Sequence, residues 1–120
     1  MAVRAISGAI QLDVDERGHL LKSTAELVTK ILHLNNLNQD QLVSMLFTAT
    51  ADISSEFPSQ AVKALGLDDV PTVCFVEMNV VSAIPRIIRV IVNVETDLPR
   101  SEIQHVYLRG AEQLSEEVSQ

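Results

Sequence analysis

The chain is poor in what many functions require. It has one cysteine (Cys74), one tyrosine (Tyr107) and no tryptophan, and aromatics make up 3% of its residues. A lone cysteine excludes an intrachain disulfide and suits a reducing compartment, so a cytoplasmic location is expected. It also argues against a structural zinc centre, for which His19, His33 and His105 have no ligand spacing. Cations are scarce: nine Lys and Arg against 16 Asp and Glu leave a net charge of −7. That balance repels phosphate backbones and anionic head groups, so neither nucleic acid nor a membrane surface is an expected partner. A single cationic pocket remains compatible with it, because net charge does not describe one cleft. No apolar run approaches the roughly 20 residues of a membrane span. The start, MAVRAISGAIQLDVD, has no long apolar core before Asp13 and Asp15 and makes a poor signal peptide. The phosphate-cradling patterns GxGxxG and GxxxxGKS/T are missing, as is the GxSxG nucleophile elbow.

Aliphatic residues are what the chain has in quantity. Hydrophobic residues reach 47%, mostly Val, Ile, Leu and Ala. A length of 120 residues predicts one domain, residues 1–120, with one core. So much aliphatic surface on a short chain also raises the expectation of burial between subunits. Val3–Leu12 predicts a strand. Asp15–His33 repeats apolar pairs at helical spacing (Leu20/Leu21, Leu27/Val28, Ile31/Leu32) and predicts the long helix. Leu42–Ala49, LVSMLFTA, is ambiguous by periodicity alone. Pro58–Leu65 predicts a short helix, with Pro58 in its first turn and Gly66 past its end. Thr72–Val80 and Ile87–Glu95 predict two central strands, and Gln104–Leu108 a last short one. The acidic tail, Ser115–Gln120, is expected to fray.

The segment Val70–Val92, VPTVCFVEMNVVSAIPRIIRVIV, places Glu77 and Arg89 within apolar runs. A charge there is costly unless it is paired, faces a polar cleft or meets a charged ligand. Two readings stand: an ion pair that serves only the fold, or a site built on strands. Cys74 reads first as a small buried hydrophobe, Tyr107 as a half-buried packing residue and Lys63 as a solvated charge. Cys74 and Glu77 are three apart, so a regular strand aims them at opposite faces. A site shared by both requires a bend or a bulge.

A set of segments in order adds to this. VRAISGA (3–9), FTATAD (47–52), FPSQAVKALG (57–66), VPTVCFVEMNV (70–80), RIIRVIVNVETDLP (86–99) and HVYLRGA (105–111) resemble the small AroH-type chorismate mutases. Together they span nearly the whole chain. The resemblance implies an α+β (α/β-like) fold: a mixed sheet with helices on one side, three subunits forming a pseudo-α/β barrel with sites between them. It implies the rearrangement of chorismate to prephenate in aromatic amino-acid biosynthesis, with no cofactor and no metal. By the same resemblance, Arg89 meets the ether oxygen and a carboxylate, and Glu77 holds the ring hydroxyl beside Cys74. Tyr107 lies near a carboxylate, Phe57 is a wall lent by the next subunit, and Lys63 replaces a usual arginine. The pattern is broken at Ser7, where the family has a second arginine, at Gln60, where the bacillus type has a lysine, and at Ser115, where a tail arginine stands. Each change removes positive charge from a site for a dianion. Arg4, Arg86 and Arg100 are the cations that could compensate. The alternative is a trimeric homologue, non-catalytic or of altered specificity, that binds a small carboxylate.

Overall fold

The computed structural model describes residues 1–115. Five strands form one sheet: β1 (Ala2–Gln11), β2 (Leu42–Ala49), β3 (Thr72–Val76), β4 (Ile87–Thr96) and β5 (Val106–Leu108), in the order β3-β2-β4-β1-β5. β4 lies at the centre and runs antiparallel to both β1 and β2, while β3 is parallel to β2 and β5 is parallel to β1. Two helices, α1 (Arg17–Leu34) and α2 (Ser59–Ala64), complete the fold.

Alternation along the strands decides which face is buried. Ile6, Ile10, Met45, Phe47, Ile88, Val90, Val92 and Val94 meet the stripe of α1 formed by Leu20, Leu27, Val28 and Ile31, and every one of these is at most 1% exposed. Each such side chain contributes about 1.5–3 kcal/mol by leaving water. Gly8 sits under the helix because nothing larger fits. A Cβ there would lie 2.8 Å from Ile31 Cδ1 and 2.8 Å from the Val106 carbonyl oxygen. The opposite face of the sheet has no helix, and Val3, Leu46, Val73 and Phe75 stay exposed on that side.

Caps and turns set the element ends. Glu16 accepts hydrogen bonds from the Gly18 and His19 N–H groups and starts α1, and those bonds hold its carboxyl below the usual range. At the other end, Asn35 is buried, donates to the Ile31 and Gln104 carbonyls, and accepts from the Gln104 N–H. One side chain thus ties the end of α1 to the segment that leads into β5. Gly66, with φ +79, follows α2 in the left-handed conformation that ends a helix.

Two expectations need correction. The segment expected as a central strand over Thr72–Val80 is an edge strand and stops at Val76. Its partner β2 ends at Ala49, and the Glu77 N–H donates to the Ala49 carbonyl as the last bond of the ladder. The last strand begins at Val106 rather than Gln104, whose N–H Asn35 takes. The ambiguous Leu42–Ala49 is a strand with Met45 and Phe47 buried in alternation. The expected frayed tail falls, from residue 116 onward, outside the described residues; Ser115 ends a short 3-10 turn, Glu112–Ser115.

Candidate active site

The open face carries the charged pair. Arg89 lies on β4, opposite Thr48 of β2 on one side and Ala9 of β1 on the other. Its neighbours Ile88 and Val90 point into the core, so alternation turns Arg89 outward. Glu77 follows the end of β3 and returns over the same face. Its Oε1 lies 3.4 Å from Arg89 Nε, and its Oε2 accepts a hydrogen bond from the Thr48 hydroxyl. The side chains of Arg89 and Glu77 remain 26% and 24% exposed. They are therefore desolvated in part but open to a ligand, in a groove of about 780 Å3 walled also by Thr50, Ile84, Ile87 and Leu114. A guanidinium so placed can direct planar, charge-assisted hydrogen bonds at an oxygen.

Tyr107 enters the same face from β5, opposite Ala9. It packs with Ile84 and Leu114 against Ala9, Ile87 and Ala111. Ser7, two residues before Ala9, is 8% exposed. Its hydroxyl lies 2.5 Å from the Tyr107 hydroxyl and 3.3 Å from His105 Nδ1, and its N–H donates to that nitrogen at 3.0 Å. Burial of the imidazole pushes the pKa of His105 down, although the outer side of the residue is exposed. Ser115 lines a neighbouring groove together with Tyr107, His105, Arg4 and Arg100.

The fold thus brings Arg89 to Glu77 and Ser7 to Tyr107. Cys74 goes elsewhere. It pairs in register with Phe47, whose side chain is in the core, and packs against that core. Its groove, about 520 Å3, is shared with Glu56, Phe57, Pro58 and Phe75, whereas Glu77 lines another. Phe57 is 64% exposed. Arg17 pairs with Glu56 at 2.8 Å, and Asp15 accepts from the Ser54 N–H at 2.9 Å and the Ser55 N–H at 3.2 Å, so the loop before Phe57 is well anchored. Lys63 is exposed in the last turn of α2, with Gln60 on the preceding turn. Of the three alternative cations, Arg86 is committed at a corner, where its Nε donates to the Leu12 carbonyl. Two residues of the constellation carry no signal in the sequence: Thr48 lies in a segment of ambiguous periodicity, and His105 has no ligand spacing to single it out. Among the described residues, no cluster of His, Cys, Asp and Glu is placed to hold a metal ion, and no helix is long and apolar enough to cross a membrane.

Comparison with known proteins bears on this geometry. The family model described as chorismate mutase type I matches residues 3–118. The chorismate mutase AroH of Bacillus subtilis (strain 168) is 38% identical over 109 residues, covering 90% of this chain and 86% of that protein. The chorismate mutase AroH of Thermus thermophilus is 37% identical over 113 residues, 93% of each. A solved chorismate mutase from Clostridium thermocellum superposes with a TM-score of 0.90 at 31% identity, covering 92% of this chain and 98% of that one. The mixed sheet with its helices on one face, and sequence similarity along nearly the entire chain, place it in one group: the chain belongs to the chorismate mutase type I family.

Proposed function

We propose that the protein is an isomerase that converts chorismate to prephenate, with Arg89 and Glu77 at the reacting atoms. The observation that carries the reading is the partly exposed Glu77–Arg89 pair, steadied by Thr48, on the sheet face that also presents Tyr107. Family membership supports it independently.

The reaction needs little covalent help. One ether C–O bond breaks while one C–C bond forms, within one molecule, and no proton need move. Catalysis then consists of holding the substrate in its compact conformation and stabilising the charge that grows on the ether oxygen. Arg89 is suited to that oxygen, since it lies in a partly dry groove where a charge-assisted bond gains strength. Glu77 accepts from the ring hydroxyl and keeps the guanidinium turned toward the groove. Tyr107 serves a carboxylate at the far side.

Phe57 and Lys63 reach this site from a neighbouring subunit. Support comes from the exposed apolar residues Leu46, Val73 and Phe75 on the helix-free face, which need a cover, and from the exposure of Phe57. A homotrimer gives each face such a cover. We place the protein in the cytoplasm as one domain. Pure protein mixed with chorismate should bleach the substrate's ultraviolet absorbance; if absorbance is constant, mutase activity is refuted. Ser7, in place of a cation, favours the second reading, a trimer that binds a small carboxylate without turnover. Chorismate binding without loss of absorbance would be its signature.

A further inference from the structure

The short strand β5 covers only Gly8–Ile10 of β1, so the earlier part of β1, at Val3–Ala5, opens on a groove of about 1040 Å3. Arg4, Arg100, His105 and Tyr107 line it, and no carboxylate does among the described residues. The grooves at Arg89 and at Cys74 hold Glu77 and Glu56. On a chain with 16 Asp and Glu against nine Lys and Arg, a groove with cations and no acid is a place for an anion. Tyr107 joins it to the groove at Arg89. The phenol shares its packing, on Ala9, Ile87 and Ala111, with Ile84 and Leu114, which wall the latter.

His105 stands just before β5 begins, and its Nδ1 accepts the Ser7 N–H at 3.0 Å. A ring nitrogen has one lone pair to offer, so a nitrogen that accepts a backbone N–H carries no proton. The Ser7 hydroxyl is left to the Tyr107 hydroxyl, 2.5 Å away. The proton of the neutral imidazole is then on Nε2. A second proton would have to displace the Ser7 N–H beside the guanidiniums of Arg4 and Arg100, and burial of the imidazole also opposes it. The ring is therefore neutral and held in one tautomer. Nδ1 and Nε2 lie on nearly opposite sides of an imidazole. With Nδ1 turned to β1, the Nε2–H turns away from that strand, on the exposed side of the residue.

We propose that this groove holds one carboxylate of the substrate and that His105 binds it, presenting Nε2–H as a neutral donor of fixed direction beside the charge of Arg100. The inference rests on the proposed function and names the far end of the same site. The two residues divide the work. Arg100, at the start of the turn Arg100–Glu102, supplies charge from a flexible side chain. His105 supplies direction, because its ring is fixed at one nitrogen and a hydrogen bond to a carboxylate is charge-assisted even from a neutral donor. Arg4 is less free to turn, since its Nε already donates to the Leu98 carbonyl. No bond forms or breaks and no proton moves. The Ser7 N–H thus selects the tautomer, and the histidine does the binding.

Two substitutions separate the two nitrogens. In His105→Asn the amide oxygen takes the place of Nδ1 and still accepts the Ser7 N–H, but the outer donor is gone. In His105→Gln the longer amide carries an N–H toward the place of Nε2, and the Ser7 N–H loses its acceptor. His105→Asn should raise KM for chorismate about ten- to a hundredfold and leave kcat within about threefold, because the contact is the same in ground and transition states. Its melting temperature should match wild type. His105→Gln should keep KM within about threefold and melt lower. A histidine that serves only the fold gives the reverse. An unchanged KM in His105→Asn, or one raised as far in His105→Gln, overturns the inference while turnover leaves the proposed function intact. Nitrogen-15 spectra of the imidazole test it without a variant. A proton on Nε2 whose signal moves when chorismate is added supports the inference; a proton on Nδ1, or a signal that stays still, overturns it. If wild type does not turn over chorismate, the proposed function fails, and calorimetry decides the groove on its own. Chorismate binding that weakens in His105→Asn supports it; equal binding, or none, overturns it.

Discussion

Tyr107 and Arg89 stand on one row of the sheet with only Ala9 between them. Tyr107 pairs with Ala9 across β5 and β1, and Ala9 pairs with Arg89 across β1 and β4. Thr48 extends the row on β2. Paired residues in register share a face, so a single methyl side chain separates a phenol from a guanidinium. That separation suits a substrate with polar groups at both ends, since each end meets a different strand.

Arg89→Ala should lower kcat/KM by about a thousandfold or more, as expected when a preorganised donor to a developing charge is removed. Folding should change far less. Both side chains of the pair are about a quarter exposed, so losing one partner should cost on the order of 1–2 kcal/mol, less than the about 3–5 kcal/mol of a fully buried pair. Thermal melts read beside kinetics distinguish the two roles. A melting temperature that collapses in parallel with activity would mark the pair as structural.

Ser7→Arg should raise kcat/KM for chorismate by about ten- to a thousandfold, since a permanent charge-assisted fork then replaces a hydroxyl. Unchanged or lower activity in a variant that retains its assembly would show that another cation already fills this role.

Light scattering should give a particle three times the 13.2 kDa chain mass. Leu46 and Phe75, 38% and 53% exposed on the open face, are the residues to challenge. Leu46→Asp would place an ion where a neighbour should pack, so it should split the assembly and remove activity together. A wild-type particle of 13.2 kDa at micromolar concentration contradicts the inter-subunit site.

Acid should loosen the loop that carries Phe57. Asp15 has its carboxyl held below the ordinary value of 3.8, first by the Ser55 hydroxyl and then by the Ser54 N–H. Glu56 is held below 4.5, first by the Phe57 N–H and then by Arg17. Because both folded values are depressed, their contribution is complete above the unfolded values and fades as pH falls through the folded ones. Melting temperature should thus be steady on this account from neutral pH down to about pH 5 and fall below about pH 4. Hydrogen exchange at residues 54–57 should rise in the same window; exchange that stays flat there would show that these bonds do not anchor the loop.

Much of this protein was legible in its residues because the relevant signals are local. Apolar pairs at helical spacing marked α1, and the charges at 77 and 89 stood out against aliphatic neighbours. Strand alternation already placed Cys74 and Glu77 on opposite faces, and the structure keeps them apart. Partner choice was not legible. Thr72–Val76 is as apolar as a central strand, yet it ends as an edge, because burial of an edge strand depends on what lies beyond the single chain. Glu77 reaches Arg89 only because β2 ends at Ala49 and releases the chain over the open face. Ser7 meets His105 across 98 positions of sequence. A local pattern states which way a side chain points; only the pairing of distant strands decides what it points at.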